Sequence, residues 1–106
     1  MEANNVLKQV NLNVKPNVSD AKTQRIIDEL YKGQNAKNKI GNGTMMDAIR
    51  YERKTGKLTG NRLHSKKGKD MVTRLNGRIC SGRLSNEDKK IVRAIREDLE
   101  KALTEY

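Results

Sequence analysis

Apolar side chains recur at helical spacing in four places along the chain. Ile26, Ile27, Leu30 and Tyr31 share one face of a stretch over about residues 20–32. Met45, Ala48 and Ile49 give a second, shorter stretch its apolar side. Met71, Val72, Leu75 and Ile79 line a third that begins near Ser65, and Ile91, Val92, Ile95, Leu99, Ala102 and Leu103 line a fourth that runs to about residue 103. The boundaries carry their own signals. Ser19 predicts the N-cap of the first helix, and Gly33 its left-handed C′ position. Thr44 with Asp47, and Ser85 with Asp88, form Ser/Thr-x-x-Asp capping patterns. Thr55-Gly56 stops the second helix and Gly82 the third. The segments Gln34–Ile40 and Lys57–Leu63 read as loops, the second one basic with Gly60 in it.

Before the first helix the pattern changes. Val10, Leu12 and Val14 alternate with Asn11 and Asn13, which is strand spacing, but no second strand signal exists to pair with it, and lone strands are not stable. Residues 1–18 therefore read as a flexible arm or linker in which Pro16 ends the alternation. The sharper alternative is an arm that adds a strand to another protein's sheet edge. The expected fold is all-α: a compact four-helix domain over 19–106 with a flexible N-terminal arm.

Composition narrows this picture. A chain of 106 residues makes one domain, and with 34% hydrophobic residues and neither Trp nor Phe its core must be thin and aliphatic. Cys80 is the only cysteine, so no internal disulfide is expected, and Cys80 with the single His64 is two ligands short of a zinc site. No metal or other cofactor is expected. No apolar run approaches the roughly 20 residues of a membrane span, and Met1 to Asn5 carry no signal-peptide pattern. The chain reads as soluble, and equally as a piece of a longer exported protein.

The net charge is +10, and it is concentrated. Residues 41–84 hold eleven Lys/Arg against three Asp/Glu, whereas residues 85–106 hold five against six. Such asymmetry favours a polyanionic partner over a merely solvated basic surface.

That basic segment also contains the candidate chemistry. Gly41-Asn42-Gly43-Thr44 opens directly onto a helix N-terminus, where glycines permit close backbone approach and free N–H groups favour an anion; a flexible loop ending in an ordinary cap is the plain alternative. On the helix, Asp47, Arg50, Tyr51 and Lys54 share a face. Glu52 instead falls on the apolar side, where a carboxylate needs a cationic or hydrogen-bonding partner, and Arg50 and His64 are the available kinds. His64 sits beside Ser65, Lys66 and Lys67. Histidine as a side-chain type can take or give a proton near neutrality, and RNA cleavage needs little more. A base removes the 2′-hydroxyl proton, cations stabilise the phosphorane, and an acid protonates the leaving 5′-oxygen. The candidate catalytic set is His64, Asp47, Glu52, Arg50 and Lys67. The candidate phosphate contacts are Gly41, Gly43, Thr44, Lys54, Ser65 and Lys66. Two other readings compete: a non-enzymatic nucleic-acid-binding module, with a helix-turn-helix at Gly82–Ser85, and a metal-dependent DNase, for which Asp47, Glu52 and Asp70 are the only carboxylates of the basic segment.

These same residues carry a resemblance. The run from Gly41 to Thr44, then Asp47-Ala48, Arg50, Glu52, Thr55-Gly56 and His64-Ser65-Lys66-Lys67-Gly68, with the lead-in Leu30-Tyr31-Lys32-Gly33, resembles the C-terminal toxin tips of bacterial polymorphic toxins of the CdiA and Rhs types. It covers about residues 22–103. The Val-Glu-Asn-Asn junction that often precedes CdiA tips is missing, which leaves the delivery system undecided. The resemblance implies an antibacterial ribonuclease that is exported as the tip of a larger protein, acts in the target-cell cytoplasm, and is neutralised by a cognate immunity protein. It further implies tRNA as substrate and elongation factor Tu as a candidate partner. By carry-over it places the site at Asp47, Arg50, Glu52, His64 and Lys67.

Overall fold

The computed structural model describes residues 11–37, 39–57 and 64–104. Among the described residues four helices follow one another: α1 (Ala21–Tyr31), α2 (Met45–Thr55), α3 (His64–Cys80) and α4 (Asn86–Thr104), with a 3₁₀ turn at Lys32–Asn35 after α1. No strand occurs among the described residues, so the all-α expectation holds. Most of the basic loop 57–63, and Val10 of the alternating run, lie outside the described residues.

The apolar stripes meet in one core. Ile27, Leu30 and Tyr31 of α1, Met46 and Ile49 of α2, Met71 and Leu75 of α3, and Val92, Ile95, Leu99 and Ala102 of α4 are buried in one cluster. Ile26, Val72, Ile79, Ile91 and Leu103 flank it half-buried, so each stripe is as wide as its periodicity requires. Gly68 lies where α3 crosses this core. A Cβ there would stand 2.5 Å from Ile49 Cδ1 and about 3.5 Å from Leu99 Cδ1. Gly68→Val is accordingly expected to cost about 1–3 kcal/mol of stability through overpacking, read as a lower urea midpoint with an unchanged slope.

Two of the four helix starts fall where the sequence puts them, and the other two shift by one residue. Thr44 Oγ1 accepts from Asp47 N–H at 3.3 Å, and Ser85 Oγ accepts from Asp88 N–H at 3.1 Å. Helix α3 begins at His64, one residue before Ser65. For α1, however, the cap is Asp20 and not Ser19: its Oδ2 accepts from Thr23 N–H at 3.1 Å and from the Thr23 hydroxyl at 2.6 Å. Ser19 instead donates its N–H to the buried Asp88 carboxylate of α4. The Thr23 hydroxyl, and then Arg78 at the far end of α3, hold the Asp20 carboxyl below its ordinary value of 3.8 despite partial desolvation. A carboxyl held low in the folded state contributes stability above its unfolded pKa and loses it as pH falls through the folded one. Stability should therefore drop as pH falls below 3.8. Asp20→Asn, which can still cap the helix, should make that acid limb shallower in urea titrations.

The end of α1 also differs from expectation. The helix does not stop at a left-handed Gly33 but tightens into the 3₁₀ turn. Glycine is required there for another reason: a Cβ on Gly33 would lie 2.4 Å from the carbonyl oxygen of Gly43. Two backbone segments distant in sequence touch at this point, and only glycine leaves room for it.

The described part of the N-terminal arm, residues 11–18, lies along this corner. Tyr31 donates its hydroxyl to the Leu12 carbonyl at 2.8 Å, Gln34 reaches the Asn13 carbonyl, and Asn42 reaches Asn13 Oδ1. Burial, with Asp98 nearby, pushes the Tyr31 hydroxyl up to about 12, so it remains a donor throughout the physiological range. Leu12 and Val18 pack on the core while Val14 faces out, so the alternation of apolar residues places single anchors and does not make a strand.

Candidate active site

The site is built around the junction of α2 with the start of α3. Glu52 lies on the inward side of α2, only 5% exposed, where the apolar periodicity puts it. Its carboxylate accepts the first two N–H groups of α3, from His64 at 3.0 Å and from Ser65 at 3.2 Å. A helix N-terminus offers unpaired donors and a positive dipole end, and a carboxylate satisfies both. The same Oε2 atom lies 2.5 Å from His64 Nδ1. That contact keeps the proton on Nδ1, fixes the ring plane, and leaves Nε2 as the nitrogen able to exchange a proton with a ligand. Glu52 is thus held wholly by protein groups. It orients the histidine and does not itself reach outward.

His64 remains 21% exposed at its side chain and lines a cavity of about 140 Å³. The remaining walls come from the end of α1 and its 3₁₀ turn (Glu29, Leu30, Lys32, Gly33, Ala36), from Lys39 and Ile40, and from the start of α2 (Gly43 to Met45, and Ala48). The close approach of Gly33 to Gly43 joins the first and last of these walls. Glu29, which the sequence reading did not select, is the carboxylate on this wall. Lys67 Nζ bonds it at 2.8 Å. That bond holds the Glu29 carboxyl below its ordinary value, against a smaller opposing effect of burial.

No protein-family model, curated protein or solved structure matches this chain. The site is therefore read from its own geometry.

Of the residues selected from sequence, the structure brings together His64, Glu52, Ser65 and Lys67, with Gly43 and Thr44 on the cavity wall. Asp47 and Arg50 point elsewhere. Two residues along a helix is about 200° of rotation, so Arg50 faces away from the Glu52 side and reaches Asp98 of α4 as well as Asp47. Burial disfavours the guanidinium charge, but the contacts to Asp98 and Asp47 outweigh it and raise Arg50 above its ordinary value. Asp47 completes this bridge and turns its other oxygen to Asn42 N–H at 2.8 Å. That carboxylate occupies the place where an anion would approach the glycine loop: a Cβ on Gly41 would meet Asp47 Oδ2 at 2.2 Å.

Two further loop donors are also committed, Gly43 N–H to Ile40 O and Thr44 N–H to Asn42 Oδ1. The amides of Asn42, Gly43 and Thr44 are thus engaged within the protein, and the Asp47 side chain lies where the phosphate cradle expected of Gly41, Gly43 and Thr44 would open. Lys54 and Lys66 are exposed; each is two residues along its helix from Glu52 or His64, hence on the other side. Among the described residues no three His, Cys, Asp or Glu side chains converge as a metal site.

Proposed function

We propose that the domain is a ribonuclease that cleaves RNA by proton transfer from its own side chains, with His64 as the central catalytic residue. The observation that carries this reading is the arrangement of His64: placed at the start of a helix in the most basic part of the chain, clamped through Nδ1 by a buried carboxylate, and set on the wall of a cavity. A carboxylate that orients an imidazole while its other nitrogen faces the reactants is a recurrent design for proton transfer.

Cleavage also requires a second proton-handling group. Glu52 is enclosed and Asp47 is bound into the loop, so Glu29 takes this role in the proposal. Glu29 accepts the 2′-hydroxyl proton as the 2′-oxygen attacks phosphorus. The bond to the 5′-oxygen then breaks, and that oxygen receives the Nε2 proton of the His64 imidazolium, which returns to the neutral, Nδ1-protonated ring. The products are a 2′,3′-cyclic phosphate and a 5′-hydroxyl. A carboxyl held low is a weak base, so the step gains when Lys67 turns from Glu29 to the phosphate: the base strengthens as the phosphorane charge is met. Lys67 thereby acts as a phosphate contact and as a governor of Glu29.

The resemblance to CdiA and Rhs toxin tips supports the same reading and extends it. It makes tRNA the expected substrate, a dedicated immunity protein the expected inhibitor, elongation factor Tu a candidate helper, and a neighbouring bacterium's cytoplasm the place of action. The test is incubation with total bacterial RNA in EDTA, with and without cell extract, on a denaturing gel. Discrete tRNA-sized fragments support the proposal, and a need for extract identifies a host helper. Intact RNA in every lane overturns it and leaves nucleic-acid binding by the +10 chain as the alternative.

A further inference from the structure

The cavity beside His64 has a shape and lining that the cleavage chemistry does not require. Its apolar lining is built from small or aliphatic side chains, Leu30, Ala36, Ile40, Met45 and Ala48, together with Gly33 and Gly43. Lys32, Lys39 and Glu29 supply its charged lining, beside His64. Lys32 and Lys39 form no ion pair among the described residues; the Glu29 charge is met by Lys67 in direct contact and by Lys32 at longer range. The volume of about 140 Å³ compares with the roughly 150 Å³ of an apolar protein cavity that takes up one benzene ring. One six-membered ring matches it in volume, and a fused two-ring system exceeds it. A base in a duplex cannot enter such a recess without leaving its stack.

We propose that this cavity seats the base of one unpaired pyrimidine nucleotide of the RNA substrate, with the attached phosphate held by Lys32 and Lys39. The proposal rests on the ribonuclease reading and adds to it a preference for pyrimidines in single-stranded or loop RNA. No Phe, Tyr or Trp side chain lines the recess, so its aliphatic walls replace the stacking platform used by many single-strand binders.

The test is an NMR titration of the full chain with the 3′-monophosphates of cytidine, uridine, adenosine and guanosine. The expected result is shifts at Ala36, Ile40, Met45 and Ala48, with the pyrimidine nucleotides binding about tenfold or more tightly than the purines. Ala36→Leu, at an exposed wall position that should not disturb the fold, should abolish that preference. Joint Lys32→Gln and Lys39→Gln substitution should weaken the nucleotides but not cytidine itself. Equal binding of purines, shifts confined to other parts of the basic surface, or no shifts at all would overturn the proposal. The two readings fail separately. Pyrimidine binding with intact RNA removes the catalytic reading and keeps the seat; cleavage with no base preference, unchanged in Ala36→Leu, removes the seat and keeps the ribonuclease.

Discussion

His64→Ala is expected to lower RNA cleavage by about 10²–10⁴-fold, the usual contribution of one positioned acid or base, while the domain stays folded. The structural cost is small because Glu52 keeps the two backbone N–H groups at the start of α3. Loss of one hydrogen bond at this site should cost about 0.5–1.5 kcal/mol. Circular dichroism and a urea titration separate the two effects. Toxicity in cells, if the domain acts as a toxin, should fall together with cleavage. If cleavage by His64→Ala is within a factor of two or three of the unaltered protein, His64 is not the proton-transfer group.

Glu52→Ala is expected to do two things at once, and their separation identifies its role. It uncovers two N–H groups at the start of α3 and leaves a void where the side chain was only 5% exposed. Unsatisfied buried polar groups put the loss at about 1–3 kcal/mol. It also releases the His64 ring, so cleavage should fall even where the variant is fully folded. Glu52→Gln keeps the volume and an acceptor for the backbone donors, but it faces His64 with an amide. It should recover most of the stability and little of the activity. The ¹⁵N chemical shifts of the imidazole should report a changed tautomer balance in Glu52→Gln, a signal that a purely structural role for Glu52 would not move. Full activity in folded Glu52→Gln would reduce Glu52 to a helix cap.

The elements were legible because they are local. Four stripes at helical spacing and the caps at Thr44 and Ser85 predict the helices, and the core they form follows from the stripes. The two boundary errors arose where a distant contact competes with a local signal. Ser19 has the chemistry of a cap but its N–H is drawn to Asp88, 69 residues away, and Asp20 takes the cap. Gly33 has the chemistry of a helix stop, yet its reason is the approach of Gly43.

The same distinction divides the site. Glu52 was visible as a carboxylate on an apolar face in need of a partner, and His64 was one of the partners named. Asp47 and Arg50 also looked like site residues, because nothing in the sequence indicates that Asp98, 48 residues away, would bind Arg50. Glu29 sits on α1 with no motif around it. It becomes a candidate only when the end of α1 is folded against the start of α3, which no periodicity reveals.

The proposal that protein side chains alone carry the protons is tested most directly by the ends of the RNA fragments. Mass spectrometry of fragments made in EDTA should show a 2′,3′-cyclic phosphate, or the 3′-phosphate formed from it, on one side of each cut and a 5′-hydroxyl on the other. The cyclic phosphate can arise only by attack of the neighbouring 2′-oxygen, the step assigned to Glu29 and His64. Fragments bearing 5′-phosphate and 3′-hydroxyl ends, lost on chelation, would mean that water was the nucleophile and a metal ion its activator, and the account of this site would be wrong.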